Sequence, residues 1–240
     1  MSAWTLLAVN AAAAIGLMLA LWLVQVRTDD ATSVDVGWAY GIGLVALLDA
    51  ALADGVAAQR VLSATLVGIW SLRLGTYILV RGVIRGDGED RRYAEMRERY
   101  GRNANRNFFV FFQAQAAFVV LFSLPALLTS SNHRGIAAIE WAGTCLWALG
   151  VGGESLADRQ LARWKGSHPG VTARGGLWRY SRHPNYFFEW LTWVGLAVVA
   201  AATPFGWIAF LTPALLLLLI LFVTGIPPSE RQALRSRGDD

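Results

Sequence analysis

Residues 205–225 read FGWIAFLTPALLLLLILFVTG and contain no charged side chain. A helix of this length, rising ~1.5 Å per residue, crosses the ~30 Å hydrocarbon layer of a bilayer. Toward the N-terminus the same apolar character recurs in six further stretches, at about 185–202, 135–156, 108–129, 56–84, 34–53 and 3–26. The sequence therefore predicts an all-α, polytopic membrane protein, with seven transmembrane helices in a single domain that covers residues 1–240.

The overall composition also indicates a membrane protein. Hydrophobic residues make up 55% of the chain and charged residues 16%, and the mean hydropathy is +0.42. This is more apolar surface than an ordinary soluble core can bury. Because no basic residue precedes the first apolar stretch, we expect it to be a retained helix and not a cleaved signal peptide.

The positions of the basic residues predict the orientation in the membrane. Arg60 and Arg134 lie on the second-to-third and fourth-to-fifth connections, and Arg73 lies within a span. All other Lys and Arg residues fall on the remaining connections and the C-terminal tail, and such residues favour cytoplasmic loops. We therefore expect an N-terminus outside, a cytoplasmic C-terminus, and cytoplasmic loops at about 85–107 and 157–184.

The charge and motif patterns disfavour several classes of function. The formal charge of +4 and the pI near 9.6 come from cations on predicted cytoplasmic loops, so we expect membrane lipids and not nucleic acid as partners. His133, His168 and His183 lie far apart in the sequence, and no cluster has ligand spacing, so no metal is predicted. The LGVGG run at 149–153 resembles half of a dinucleotide fingerprint, but inside a membrane helix small residues favour close packing.

The stretch GGLWRYSRHPNYFFEW at 175–190 is the strongest candidate for a functional site. It places cations, an amide and a carboxylate at the start of the sixth apolar helix, and ionisable groups at a membrane boundary usually have a function. Asn185 and Glu189 are four residues apart and therefore share one helix face. Glu154 and Asp158 repeat this spacing at the end of the fifth helix.

Six basic residues lie between these two pairs: Arg159, Arg163, Lys165, Arg174, Arg179 and Arg182. Together with the free backbone N–H groups at the start of the sixth helix, they can hold phosphates and ribose hydroxyls. In the alternative interpretation, Arg179 and Arg182 pair with lipid headgroups, and His183-Pro184 simply starts a helix.

The same stretch resembles the signature of the steroid 5-alpha-reductase-like membrane proteins, in particular the bacterial DUF1295 branch. VDVGWAYG at 34–41 resembles the second-helix motif of that branch, and WSLRLGTY at 70–77, with Arg81 and with GEDRRY at 88–93, resembles its third helix and following loop. The resemblance covers about residues 30–240.

This resemblance implies a reductase that binds NADPH from the cytoplasmic side of the bacterial cytoplasmic membrane. It reduces a carbon–carbon double bond conjugated to a ketone in an apolar, steroid-like substrate that enters from the bilayer. In the family, a carboxylate on the second helix and a tyrosine on the third stabilise the charge that grows on the ketone oxygen. The carboxylate maps to Asp35. The tyrosine maps near Trp70, which has no hydroxyl, so Tyr40 and Tyr77 are the candidate replacements.

The implied cofactor site draws on both cytoplasmic loops and the helix ends beside them. Its candidate residues are Arg73, Glu154, Asp158, Arg174, Arg179, Tyr180, Arg182, His183, Asn185, Tyr186 and Glu189. Arg73 lies within a span, and Asp35 on the neighbouring helix is its expected ionic partner, which suggests a polar cavity. For Asp158 the alternative is a structural salt bridge with Arg163.

Two other functions remain open. Membrane methyltransferases of the isoprenylcysteine carboxyl and phospholipid type carry an Arg-His-Pro-x-Tyr sequence at a cytoplasmic helix start and bind S-adenosylmethionine there, and residues 182–186 satisfy that pattern. The paired acidic residue expected near the tail of such an enzyme is represented here by Glu230. Alternatively, the chain is a non-enzymatic membrane scaffold, in which polar residues serve helix packing.

Overall fold

A computed structural model describes residues 1–84, 86, 88–168 and 170–237, of which 232–237 are described as backbone alone. The described chain is helical and has no strand, so the all-α prediction is confirmed for these residues. The α-helices are α1 Ala3–Thr28, α2 Ser33–Leu52, α3 Ala57–Ile78, α4 Arg91–Tyr100, α5 Ala104–Ser130, α6 Ala138–Ser167, α7 Pro184–Ala200, α8 Leu211–Phe222 and α9 Ile226–Arg237. A π-helical segment, Leu79–Ile84, continues α3, and 3₁₀ turns cover Gly101–Asn103, Gly176–Arg179 and Gly206–Phe210. The chain forms two compact units, Met1–Ile136 and Ala137–Asp240.

Five helical segments of the described chain are long and apolar enough to cross a membrane. They are Ala3–Thr28, Ser33–Leu52, Ala57–Ile84, Arg91–Ser130 and Gly206–Arg231. The fifth and sixth predicted spans correspond to α6 and α7, which are not among these five. Glu140 and Glu154 lower the mean hydropathy of α6, and α7 is short, with 17 residues.

The predicted seventh span is divided in the structure. Its first residues form the 3₁₀ turn, α8 takes the centre, and a tight turn at Val223–Gly225 leads into α9. The predicted polar loop at 85–107 is also more ordered than expected, because α4 and the first turn of α5 lie within it. Its first residue, Arg85, lies outside the described residues.

Close packing of small residues brings α2 and α3 together in the first unit. Ser71 on α3 donates through its hydroxyl to the backbone carbonyl of Ala39 on α2 (2.9 Å), and Gly75 lies under the ring of Tyr40. Trp70 is fully buried and meets Trp38 edge to face, with ring centroids 5.8 Å apart. Trp70 therefore fills the core at the position where the family tyrosine was expected.

A buried polar pair joins α1 to α2. Asn10 and Asp49 are both completely buried, and Asn10 Nδ2 donates to Asp49 Oδ1 at 2.9 Å. Asn10 Oδ1 and Asp49 Oδ2 are buried without a hydrogen-bond partner within the described part of the chain. This pair lies in two segments long and apolar enough to span the membrane, and the sequence analysis did not identify it.

An antiparallel helix hairpin, α6 with α7, dominates the second unit. Gly150 lies against Thr192, and Gly143, one heptad earlier, lies against Val199, so the contacts progress in opposite directions along the two helices. A Cβ atom at Gly150 would overlap the backbone of Thr192, and one at Gly195 would overlap the backbone of Trp147. The prediction that the glycines of this region permit close helix approach is confirmed for Gly150.

Candidate functional site

The start of α7 brings two of the predicted cofactor residues together. Asn185 Nδ2 donates to Asp158 Oδ1 on α6 at 3.5 Å, and Asn185 Oδ1 accepts from the backbone N–H of Tyr186 at 3.1 Å. The amide of Asn185 is thus oriented by its own helix on one side and by α6 on the other.

The two predicted glutamates of the hairpin have different surroundings. Glu189 Oε1 accepts from the indole Nε1 of Trp193, one helical turn further along α7, at 2.9 Å. Trp193 is fully buried, and Glu154 on α6 is nearly so. Glu154 therefore lies among packed helices, whereas Glu189 is half-buried and keeps some access to its surroundings.

Arg182 and His183, immediately before α7, lie beside a carboxylate from α9. Glu230 Oε1 is 3.6 Å from Arg182 Nη1 and 3.7 Å from His183 Nε2, and the His183 ring stacks on Tyr186 with centroids 5.2 Å apart. Burial lowers the pKa of His183; Glu230 opposes this shift in part, and the charge of Arg182 adds to it. The net shift is downward, so the imidazole is held mainly neutral at neutral pH.

The loop before this segment is fastened to α6 by side-chain hydrogen bonds. Gln160 Oε1 accepts from the backbone N–H of Leu177 (2.9 Å), and Trp178 Nε1 donates to the carbonyl of Ala157 (2.9 Å). Gly176 has a φ of 60°, which suits glycine at the bend. Between loop and helix is a cavity of about 290 Å³, whose lining includes Arg163.

Three further predicted residues lie on the surface of this loop. Arg174, Arg179 and Tyr180 are exposed, and none of them makes a side-chain hydrogen bond or ion pair in the described structure. They are accessible to a ligand or to lipid headgroups, and their present contacts do not fix their orientation.

In the first unit, Asp35 belongs to an ionic network that the sequence analysis missed. Its Oδ1 accepts from the hydroxyl of Tyr93 (2.7 Å) and its Oδ2 from Arg92 Nη2 (2.8 Å). Tyr93 is 3% exposed. The carboxylate that was expected to pair with Arg73 thus accepts hydrogen bonds from two side chains of α4, a contact that the sequence analysis did not predict.

The same network continues into the segment before α4. Arg92 Nε also bonds Asp90 Oδ1 at 3.0 Å, and Glu89 forms a two-point ion pair with Arg97 at 2.8 and 3.0 Å. Burial alone would raise the pKa of Asp90, but hydrogen bonds from Arg92 and nearby guanidinium charges outweigh it and lower that pKa. Most of these residues belong to the GEDRRY stretch, which the sequence analysis used for the resemblance without assigning roles.

Two of the remaining predicted residues, Arg73 and Tyr77, lie on α3, and Tyr40 lies on α2. A groove of about 830 Å³ is lined by Leu72, Arg73, Thr76, Tyr77, Val80 and Arg81. The Tyr40 hydroxyl is 3.0 Å from Thr76 Oγ1, and the Arg81 guanidinium lies 5.9 Å from the centroid of the half-exposed Tyr77 ring. Arg73 and Tyr77 therefore line the same groove, and Asp35 is not among the residues that line it.

Comparison with known proteins adds one finding. Residues 21–240 match the family described as protein of unknown function, DUF1295. Neither the curated proteins nor the solved structures gave a match. Because the match covers nearly the whole chain, including the α7 start and the GEDRRY stretch, the chain belongs to the DUF1295 family.

Proposed function

We propose that this protein is a membrane-embedded reductase that uses NADPH to reduce a carbon–carbon double bond conjugated to a ketone in an apolar, steroid-like or lipid substrate. The observation that carries the proposal is the polar cluster at the start of α7, where Asn185 meets Asp158 beside Arg182 and His183. An amide, a carboxylate, a guanidinium and an imidazole at one helix start are the donor and acceptor types that a dinucleotide requires.

The residues present fit such a cofactor. No side chain caps the start of α7, and His183 Nε2 has no hydrogen-bond partner in the described structure, so donors remain for an anionic group. Arg182 and His183 would hold phosphate oxygens, while Asn185 and Asp158 would bond a carboxamide or ribose hydroxyls. Bound NADPH would supply the hydride that adds to the carbon of the double bond far from the ketone.

For an apolar substrate, the first unit offers the groove along α3, whose lining includes Leu72, Tyr77 and Val80. Negative charge grows on the ketone oxygen during hydride addition, and a hydroxyl donor stabilises it. Tyr77 is the better candidate for this donor, because its side chain lines the groove and that of Tyr40 is not among the lining residues. Asp35 then acts by anchoring α4, since both of its oxygens already accept hydrogen bonds.

The proposed reductase spans the bacterial cytoplasmic membrane seven times, with its N-terminus outside and its cofactor site in the cytoplasm. Five spans are supported by length and composition. The α6–α7 hairpin would supply the other two, which keeps the 157–184 loop on the cytoplasmic side with most of the basic residues.

The test is binding of NADPH to the purified protein in detergent, measured by calorimetry beside NADH and S-adenosylmethionine. Asn185→Ala should weaken NADPH binding about tenfold, the loss expected for a hydrogen bond at a partly buried site. Asn103→Ala, at an exposed asparagine that makes no side-chain hydrogen bond in the described structure, is the control and should bind normally. Wild-type protein that does not bind NADPH, or an Asn185→Ala variant that binds it unchanged, would contradict the proposal.

One contact favours methyl transfer as a second candidate. Glu230, the acidic residue near the tail, lies beside the Arg182-His183 pair, as expected if these residues bind S-adenosylmethionine. Calorimetry separates the candidates, because a methyltransferase binds S-adenosylmethionine and not NADPH. Binding of neither ligand would leave the scaffold interpretation.

A further inference from the structure

Glu230 occupies the position that an anionic group of a ligand would need. Its carboxylate lies 3.6 Å from Arg182 and 3.7 Å from His183, the cationic residue and the imidazole before α7. These are the side chains to which the proposed function gives the phosphate oxygens. A phosphate bound there and the Glu230 carboxylate would repel each other, so both cannot be accommodated.

We propose that α9 is a lid over the α7 start, held closed by the Glu230 carboxylate and opened when a phosphate group of the ligand displaces it. The inference rests on the proposed function, because it concerns the same anion-binding side chains. It adds a form of regulation, because the Glu230 carboxylate competes with the ligand for these side chains.

The contacts of Glu230 suit a group that must be displaced. Both distances exceed that of a direct hydrogen bond, and the side chains of Arg182 and Glu230 are 84% and 45% exposed. Exposed ion pairs of this kind contribute little to stability. A diphosphate carries more charge and more acceptor oxygens than one carboxylate, so it competes well for the Arg182 guanidinium and the His183 imidazole.

The junction between α8 and α9 suits a hinge. The backbone N–H groups of Val223, Thr224 and Gly225 all point to the carbonyl of Leu219 in a compact turn. Two prolines, Pro227 and Pro228, follow immediately and have no N–H to donate. The described backbone hydrogen bonds from this junction to α8 thus end at Gly225, and Ser229 in the first turn of α9 bonds the carbonyl of Gly225.

The experiment compares Glu230→Gln with wild type, using inorganic pyrophosphate as the probe and calorimetry as the readout. Glu230→Gln removes the competing charge and should bind pyrophosphate about two- to fivefold more tightly, the scale of an exposed ion pair. Glu98→Gln makes the same charge change at an exposed glutamate of α4 and should bind like wild type. Unchanged or weaker binding by Glu230→Gln would overturn the lid, and weaker binding would make Glu230 part of the ligand site.

Limited trypsin digestion gives a second readout that does not depend on affinity. Pyrophosphate should speed cleavage after Arg231 in the wild type, and in Glu230→Gln this cleavage should be fast without ligand. Slow cleavage after Arg231 both with and without pyrophosphate would also overturn the lid.

If pyrophosphate releases α9 but NADPH does not bind, the reductase proposal fails alone. If NADPH binds and Glu230→Gln changes neither readout, the lid fails alone.

Discussion

At the scale of single residues, Asp35 has two hydrogen-bond partners on α4 that its position in a family motif did not reveal. Tyr93→Phe would remove the donor to Asp35 Oδ1 and should lower the free energy of unfolding by about 0.5–1.5 kcal/mol. Asp35→Ala should cost more, about 1–3 kcal/mol, because it leaves the buried Tyr93 hydroxyl and one bond of Arg92 unsatisfied. Thermal unfolding in detergent measures both variants.

Activity separates the two roles considered for Asp35. If Asp35 were the acid facing the substrate, Asp35→Ala would abolish turnover while Tyr93→Phe left it intact. If Asp35 anchors α4, Asp35→Ala should lose more activity than Tyr93→Phe, because it loses more stability. Tyr77→Phe should lose turnover without losing stability. Stable Asp35→Ala protein would contradict the anchoring role.

His183 is predicted to make stability depend on pH. Because its pKa in the folded protein is lowered from 6.5, the fold disfavours the protonated imidazole. Stability is therefore fully present above pH 6.5 and is lost as the pH falls from there toward the lowered pKa. The free energy of unfolding, measured across this pH range, should fall in wild type and fall less in His183→Gln. His133→Gln, which changes an exposed histidine, is the control and should behave like wild type.

At the scale of secondary-structure elements, the Asn10–Asp49 pair is predicted to hold α1 on α2. Asp49→Ala would leave the buried Asn10 amide without its acceptor and should cost about 1–3 kcal/mol. Asp49→Asn keeps the acceptor and adds an N–H₂ group that can serve the unpartnered Asn10 Oδ1, so it should be neutral or stabilising. Asp54→Asn, at an exposed carboxylate, is the control.

Helix positions were largely readable from the sequence, whereas polar partners were not. The first predicted span, 3–26, corresponds to α1 at Ala3–Thr28, because an apolar run of that length marks the helix directly. Tyr93 meets Asp35 from 58 positions away, and Asn10 meets Asp49 from 39, so no local pattern records either pair. A carboxylate inside a predicted span, as Asp49 is, was the available signal that a buried partner exists.

At the scale of the whole molecule, the exposed apolar side chains suit a lipid environment. Large hydrophobic residues are exposed along α1 and α8, among them Leu23, Leu218 and Phe222. Water would penalise such surfaces, and lipid does not. The number of bilayer crossings depends on α6 and α7, the two predicted spans outside the five supported by length and composition.

Cysteine labelling in intact bacterial cells distinguishes seven spans from five. Cys145 is the single native cysteine, so in a Cys145→Ala background a new cysteine at an exposed position reports the side of the membrane alone. His133→Cys should react with a membrane-impermeant maleimide and Glu98→Cys should not, whichever count holds. Ser167→Cys, at the end of α6, decides: the seven-span arrangement keeps it cytoplasmic and unlabelled until the membrane is permeabilised. Labelling of Ser167→Cys in intact cells would put the 157–184 loop outside, away from cellular NADPH, and would contradict both the seven-span topology and the proposed reductase.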